Sequence, residues 1–164
     1  LFLIYFILAA QFESYILPLI VMVTVPLAVT GVYMGLLTFN QKNNSMVFIG
    51  IIMLAGIVVN NAIVLIDYVK ILIEQQGYPL KEAILEAGKT RLRPIFMTTM
   101  TTVIGMVPLA LGLGQGSERY KGMAIAVIFG LTFSTMLTLV IVPIMFEIYY
   151  ETLEKIKKRF GSYE

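Results

Sequence analysis

Residues 54–67 read LAGIVVNNAIVLID, and they place two adjacent amides, Asn60 and Asn61, inside an otherwise apolar segment. A polar side chain in such surroundings must find a hydrogen-bonding partner or bear the cost of its burial, and inside a membrane it is a functional candidate by default. Asn60 lies four residues after Gly56 and seven before Asp67, so Gly56, Asn60, Val64 and Asp67 share one helix face. That face is small and polar, suited to another helix or to a wet cavity. Two roles fit the amides. One is an interhelical hydrogen bond, worth about 1 kcal/mol or less. The other is the lining of an ion or proton pathway, paired with carboxylates elsewhere. The local sequence leaves both open.

The rest of the chain says what this segment is embedded in. Of its 164 residues, 59% are hydrophobic and 13% charged, where a soluble domain would carry about 25% charge. The charges are crowded into short stretches that leave long uncharged runs between them, the pattern of an all-α polytopic membrane protein. A net charge of +2 is too small to suggest a nucleic-acid partner. With no Cys and no His, thiol chemistry, disulfides, Cys/His zinc sites and His-based triads are excluded within the chain. Gly112, Gly114 and Gly116 are not followed by the Gly-Lys-Ser/Thr of a phosphate loop. No catalytic or metal-binding constellation stands out, so neither an enzyme nor a cofactor is expected. The chain opens in mid-helix at LFLIYFILAA, without a signal peptide, and residues 1–164 read as a fragment of something larger.

In order, residues 1–15 read as the end of a helix and a polar turn around Glu13. Four segments are long and apolar enough to cross a bilayer: 16–39, 46–72, 94–114 and 122–146. Pro26 is expected to kink the first and Pro108 the third. Gly31 and Gly35 form a small-xxx-small pair that allows close helix packing. Between the second and third crossings, residues 79–91 place Leu80, Ala83, Ile84 and Ala87 at helical spacing, with Lys81, Glu82, Glu86 and Lys89 largely on the other side. This predicts an amphipathic helix on the cytoplasmic membrane surface. Residues 147–164 form a charged tail. The stretch from Asp67 to Arg93 carries five Lys/Arg and the tail four, against three in the two opposite loops. The positive-inside rule therefore puts the amphipathic helix and the C-terminus in the cytoplasm.

Other residues are weighed in the same way. Asp67 sits at the cytoplasmic border, first an interface anchor and second the inner end of a proton path. Thr98, Thr99, Thr101 and Thr102 form a hydroxyl-rich patch, with Thr98, Thr101, Thr102 and Gly105 on one face. Their hydroxyls can bond to their own helix backbone, or can form a wire of hydroxyls and waters. Arg91 and Arg93 stand where basic side chains snorkel and set topology. Thr132, Ser134, Thr135 and Thr138 in the last crossing read as packing residues.

Three stretches together resemble one family. AAQFESYILPLIVMVTVPLAVTG, GIVVNNAIVLIDY and EAILEAGKTRLRPIFMTTMTTVIGMVPLALGLGQGSE are similar, in order and over nearly the whole chain, to the C-terminal membrane half of resistance–nodulation–division (RND) exporters of the hydrophobe/amphiphile, acriflavine-resistance type. The resemblance implies that residues 1–15 end the eighth transmembrane helix and that the four crossings are the ninth to twelfth. It further implies a proton-driven exporter of drugs and other amphiphiles in the bacterial inner membrane. Its partners would be the N-terminal half of the same chain, two further copies in a homotrimer, the lipid bilayer and, in a Gram-negative envelope, a periplasmic adaptor and an outer-membrane channel. The family's aspartate pair would lie in the N-terminal half. Its lysine falls on Asn60, its arginine on Arg91 and its coupling threonine on Thr98. The resemblance thus favours Asn60, Asn61 and Thr98 as parts of a proton relay and leaves Arg91 balanced between relay and anchor. An amide can exchange hydrogen bonds but cannot switch ion-pair partners as a lysine does, so sodium coupling stays open. Alternatives are a related lipid or protein-secretion factor and a non-pumping sterol-sensing or receptor-like protein.

Overall fold

The computed structural model describes residues 2–114 and 116–160, with only the backbone described over 154–160. It is a bundle of six α-helices, α1 Phe2–Phe12, α2 Leu17–Met22, α3 Thr24–Thr38, α4 Ser45–Glu74, α5 Leu80–Ala110 and α6 Lys121–Phe160. A single 3₁₀ turn, Ser117–Arg119, precedes α6, and no strand occurs among the described residues. Four units are long and apolar enough to cross a membrane: Leu17–Thr38, Ser45–Glu74, Leu80–Ala110 and Lys121–Leu153. The fold is the all-α polytopic bundle that the composition predicts.

Local chemistry explains the joints. Ser14 Oγ accepts from the N–H groups of Ile16 (3.4 Å) and Leu17 (3.5 Å) at the turn into α2. The first crossing breaks at Val23 into α2 and α3. Pro26 is the cause: it has no N–H for the Met22 carbonyl, and its ring crowds that carbonyl. The turn after α3 closes with the Gln41 N–H donating to the Leu36 carbonyl at 2.9 Å. Asn44 then caps α4, its Oδ1 accepting from the Val47 N–H at 3.0 Å. Gly77, at φ 69°, turns the chain out of α4 while the Tyr78 N–H reaches back to the Leu72 carbonyl at 3.1 Å.

Two boundaries differ from the sequence reading. Segments 79–91 and 94–114 run as one helix, α5, which continues through Pro94 and Pro108. The first turns of α5 keep their amphipathic pattern, and Ala83 and Ala87 pack into the bundle core beside Leu65, Ile66 and Val69 of α4 and Phe146 of α6. A 3.8 Å ion pair between Lys81 and Glu147 ties the same end to α6. The fourth crossing likewise continues without a break into the charged segment, as α6, through Phe160. Residues 161–164 of the expected tail, with Leu1 and Gln115, lie outside the described residues.

The helix α6 is the hub, packing along α3, α4 and α5. Its closest approach is to α3. A Cβ at Gly31 would come within 2.7 Å of Phe133 Cβ and 3.0 Å of the Phe129 carbonyl oxygen, and a Cβ at Gly35 within 2.5 Å of Phe129 Cβ. Gly130 sits opposite, where a Cβ would collide with Leu54 and Val32. The small-xxx-small pair therefore does what its spacing allows, letting two backbones touch. By contrast α5 leaves most of its apolar span uncovered within this chain. In its most apolar window 11% of residues are buried, against 44–50% in the other three crossings.

The α3–α6 seam sets a stability test. Because backbone atoms of α6 face Gly31, Gly31→Ala in the full-length protein should cost about 1–3 kcal/mol through overpacking. Gly88→Ala, inside α5 with nothing within 4 Å of the added carbon, should match the parent or exceed it by up to about 1 kcal/mol. Denaturation of both variants in detergent checks the contrast, and equal stability would mean that the seam tolerates an added carbon.

Candidate functional site

Successive residues on an α-helix point about 100° apart, so Asn60 and Asn61 cannot face the same neighbour. The structure separates them. Asn61 is buried, at 9% exposure, on the side of α4 that meets α5 and α6. Asn60 is exposed, as are Gly56 and Asp67 on the same face, while Val64 is half-buried. The threonines of α5 divide in the same way. Thr99 is buried and meets Thr135 of α6 in a hydroxyl–hydroxyl hydrogen bond of 3.2 Å, whereas Thr98 and Thr101 are exposed and Thr102 half-buried. Thr98 Oγ donates to the Pro94 carbonyl at 3.0 Å, Thr101 to Met97 at 2.8 Å and Thr102 to Thr98 at 2.9 Å. These bonds use the hydroxyl protons and leave acceptor lone pairs available.

Two polar surfaces result. The open one carries Asn60 on α4 and Thr98 on α5, and neither side chain bonds to another helix among the described residues. The inner one lines a narrow crevice between α4, α5 and α6, bounded by Val58, Asn61, Ile95, Thr135, Thr138 and Leu139 and nowhere wide enough for a water-sized sphere. Thr138, 3% exposed, has a buried hydroxyl with no hydrogen-bonding partner among the described residues. An unmet buried hydroxyl costs about 1–3 kcal/mol. Thr135 and Thr138 were expected only to pack, and their partnership with Asn61 and Thr99 has no local signature in α6. The one hint was that Thr99 falls off the face shared by Thr98, Thr101 and Thr102.

Arg91 is half-buried near the start of the membrane-crossing part of α5. Its guanidinium stacks over the ring of Tyr68 on α4, 4.4 Å from the centroid, and its Nε is buried without a hydrogen-bonding partner among the described residues. Tyr68 could not be foreseen from the sequence, because the contact joins two helices across the Gly77 turn. Asp67, the neighbour of Tyr68, is exposed. Among the described residues no group of His, Cys, Asp and Glu is placed to hold a metal.

A helical bundle with four units long and apolar enough to cross a bilayer defines a multi-pass membrane protein. Residues 1–149 match the AcrB/AcrD/AcrF family model, and the chain belongs to that family. The RND resemblance is thereby borne out. The chain is 45% identical over 157 residues to the swarming motility protein SwrC of Bacillus subtilis, covering 95% of this chain and 14% of the relative. It is 37% identical over 156 residues to the multidrug resistance protein MdtC of Erwinia tasmaniensis, covering 95% and 15%. With the multidrug export protein AcrF of Escherichia coli it shares 38% identity over 139 residues, covering 85% and 13%. The chain thus spans only a small part of the length of these relatives.

The Tyr68–Arg91 contact can be measured. A double-mutant cycle of Tyr68→Leu and Arg91→Gln in the full-length protein should give a coupling of about 0.5–2 kcal/mol in thermal stability. Tyr68→Phe keeps the ring and should retain most of it. A coupling indistinguishable from zero would remove Tyr68 as the support of Arg91.

Proposed function

We propose that the chain is the C-terminal membrane part of a proton-driven exporter of drugs and other amphiphilic compounds, contributing one side of an intramembrane proton relay. Two relatives named for multidrug resistance and multidrug export support the export part of this reading. A third is named for swarming motility, a name that states no substrate. The other half of the relay would be a carboxylate pair in the N-terminal half of the same chain. The full protein would work as a homotrimer in the bacterial inner membrane, with its C-terminus in the cytoplasm and, in a Gram-negative envelope, an adaptor and an outer-membrane channel.

The observation that carries the reading is the exposure of Asn60 in the middle of an apolar crossing helix. A bare amide facing hydrocarbon is costly. Its partner must therefore come from outside this chain. Carboxylates would serve, because an amide donates to a carboxylate and can turn its carbonyl to a protonated carboxyl. Protonation would then change what Asn60 and Thr98 contact. The resulting shift would act first on α5, the crossing least buried against its neighbours. Arg91, held against Tyr68, would supply a fixed positive charge at the cytoplasmic end of this path, with Asp67 beside it at the border. Asn61 would take part from the inner side.

Asn60 is exposed, so its loss should cost the bundle itself no more than about 0.5 kcal/mol. Asn60→Ala in the full-length protein is therefore expected to assemble into trimers at the parent level and to lose at least about tenfold in export (about 1.4 kcal/mol or more in activation terms). Efflux of a fluorescent dye from energised cells reads this directly. Normal efflux by N60A would make Asn60 a packing residue and overturn its place in the relay.

A further inference from the structure

The inner crevice holds a chemical mismatch that the exporter reading does not use. Its lining residues include Asn61 of α4 and Thr135 and Thr138 of α6, the Thr135 hydroxyl being bonded to Thr99. A buried water typically makes two to four hydrogen bonds and needs room for about one water-sized sphere. The polar partners are present; the room is not. Meanwhile the Thr138 hydroxyl, almost wholly buried, finds no partner in the closed arrangement.

The wall of the crevice on the α5 side is a single residue beside a proline. Ile95 closes it, and Ile95 and Thr99 are the buried residues of α5 beyond Ala87. Pro94 precedes Ile95 directly and leaves the Thr90 carbonyl without its helical donor, which loosens the helix at that point. Thr99 is tied to Thr135 by a single hydroxyl–hydroxyl bond in which either group can donate. A small outward movement of α5 would withdraw Ile95, release Thr99 from Thr135 and widen the crevice beside three waiting polar groups.

We propose that Asn61, Thr135 and Thr138 form a latent site for one water molecule, closed by Ile95 and Thr99 in the arrangement seen here and filled when α5 moves away from α4 and α6. The water accepts the Thr138 proton and donates to the Asn61 carbonyl oxygen, satisfying in the open state what the closed state leaves unmet. The site thus gives the movement of α5 a compensating set of hydrogen bonds inside the membrane. It does so whichever ion drives the protein, and it does not depend on the relay proposed for Asn60.

The test uses the full-length protein in native membranes, in a background free of other cysteines, to which this chain contributes none. Thr138→Cys is expected to react with Ag⁺, an ion close to water in size, at least about tenfold faster than Val127→Cys, which is fully buried in α6. Equal rates for the two cysteines would overturn the proposal. Thr138→Val keeps the shape and removes the unmet hydroxyl, so its Tm should equal or exceed that of the parent. A Tm several degrees lower would show the hydroxyl to be bonded in the resting protein, and would overturn the proposal as well.

Discussion

A side-chain amide inside an apolar span has to be answered by another polar group, and two adjacent amides cannot be answered from the same side. The 100° step of the helix therefore commits Asn60 and Asn61 to different neighbours. Asn61 turns to α6, where Thr135 and Thr138 line the same crevice. Asn60 turns to a surface that this chain leaves open. The same geometry divides Thr98 from Thr99 on α5. Much of what distinguishes this bundle from a plain set of spanning helices follows from that division into an inner and an outer polar surface.

The apolar framework around these surfaces has unequal stiffness. The α3–α6 seam is closed at Gly31, Gly35 and Gly130, where one added carbon meets backbone or a fixed side chain. Packing of that kind allows little sliding, because a close-packed contact has few intermediate positions. The α5 helix contributes few buried residues to the bundle and has two prolines in its course.

Much of the architecture was readable from the chain because hydrophobic length is a strong signal. The four crossings, the glycine pair and the Pro26 break all follow from residue types acting locally. The junctions at residues 91–94 and 146–147 were harder. Proline and charge both argue for a boundary there, yet Pro94 is carried through α5 and the charged residues simply continue α6. Packing of Ala83 and Ala87 against α4 and α6 outweighs the local preference. The site was half legible. Asn60 and Thr98 announced themselves as polar residues in apolar runs, whereas Thr135, Thr138 and Tyr68 acquire meaning only when helices distant in sequence come together.

Asn60 is proposed to face an acidic partner supplied by the rest of the polypeptide. A structure of the full-length protein in lipid would test it most directly, through the distance from the Asn60 amide to the nearest carboxylate. A hydrogen bond, at about 2.7–3.2 Å, is expected in at least one state of the transport cycle. An Asn60 side chain facing lipid or apolar side chains in every state would contradict it.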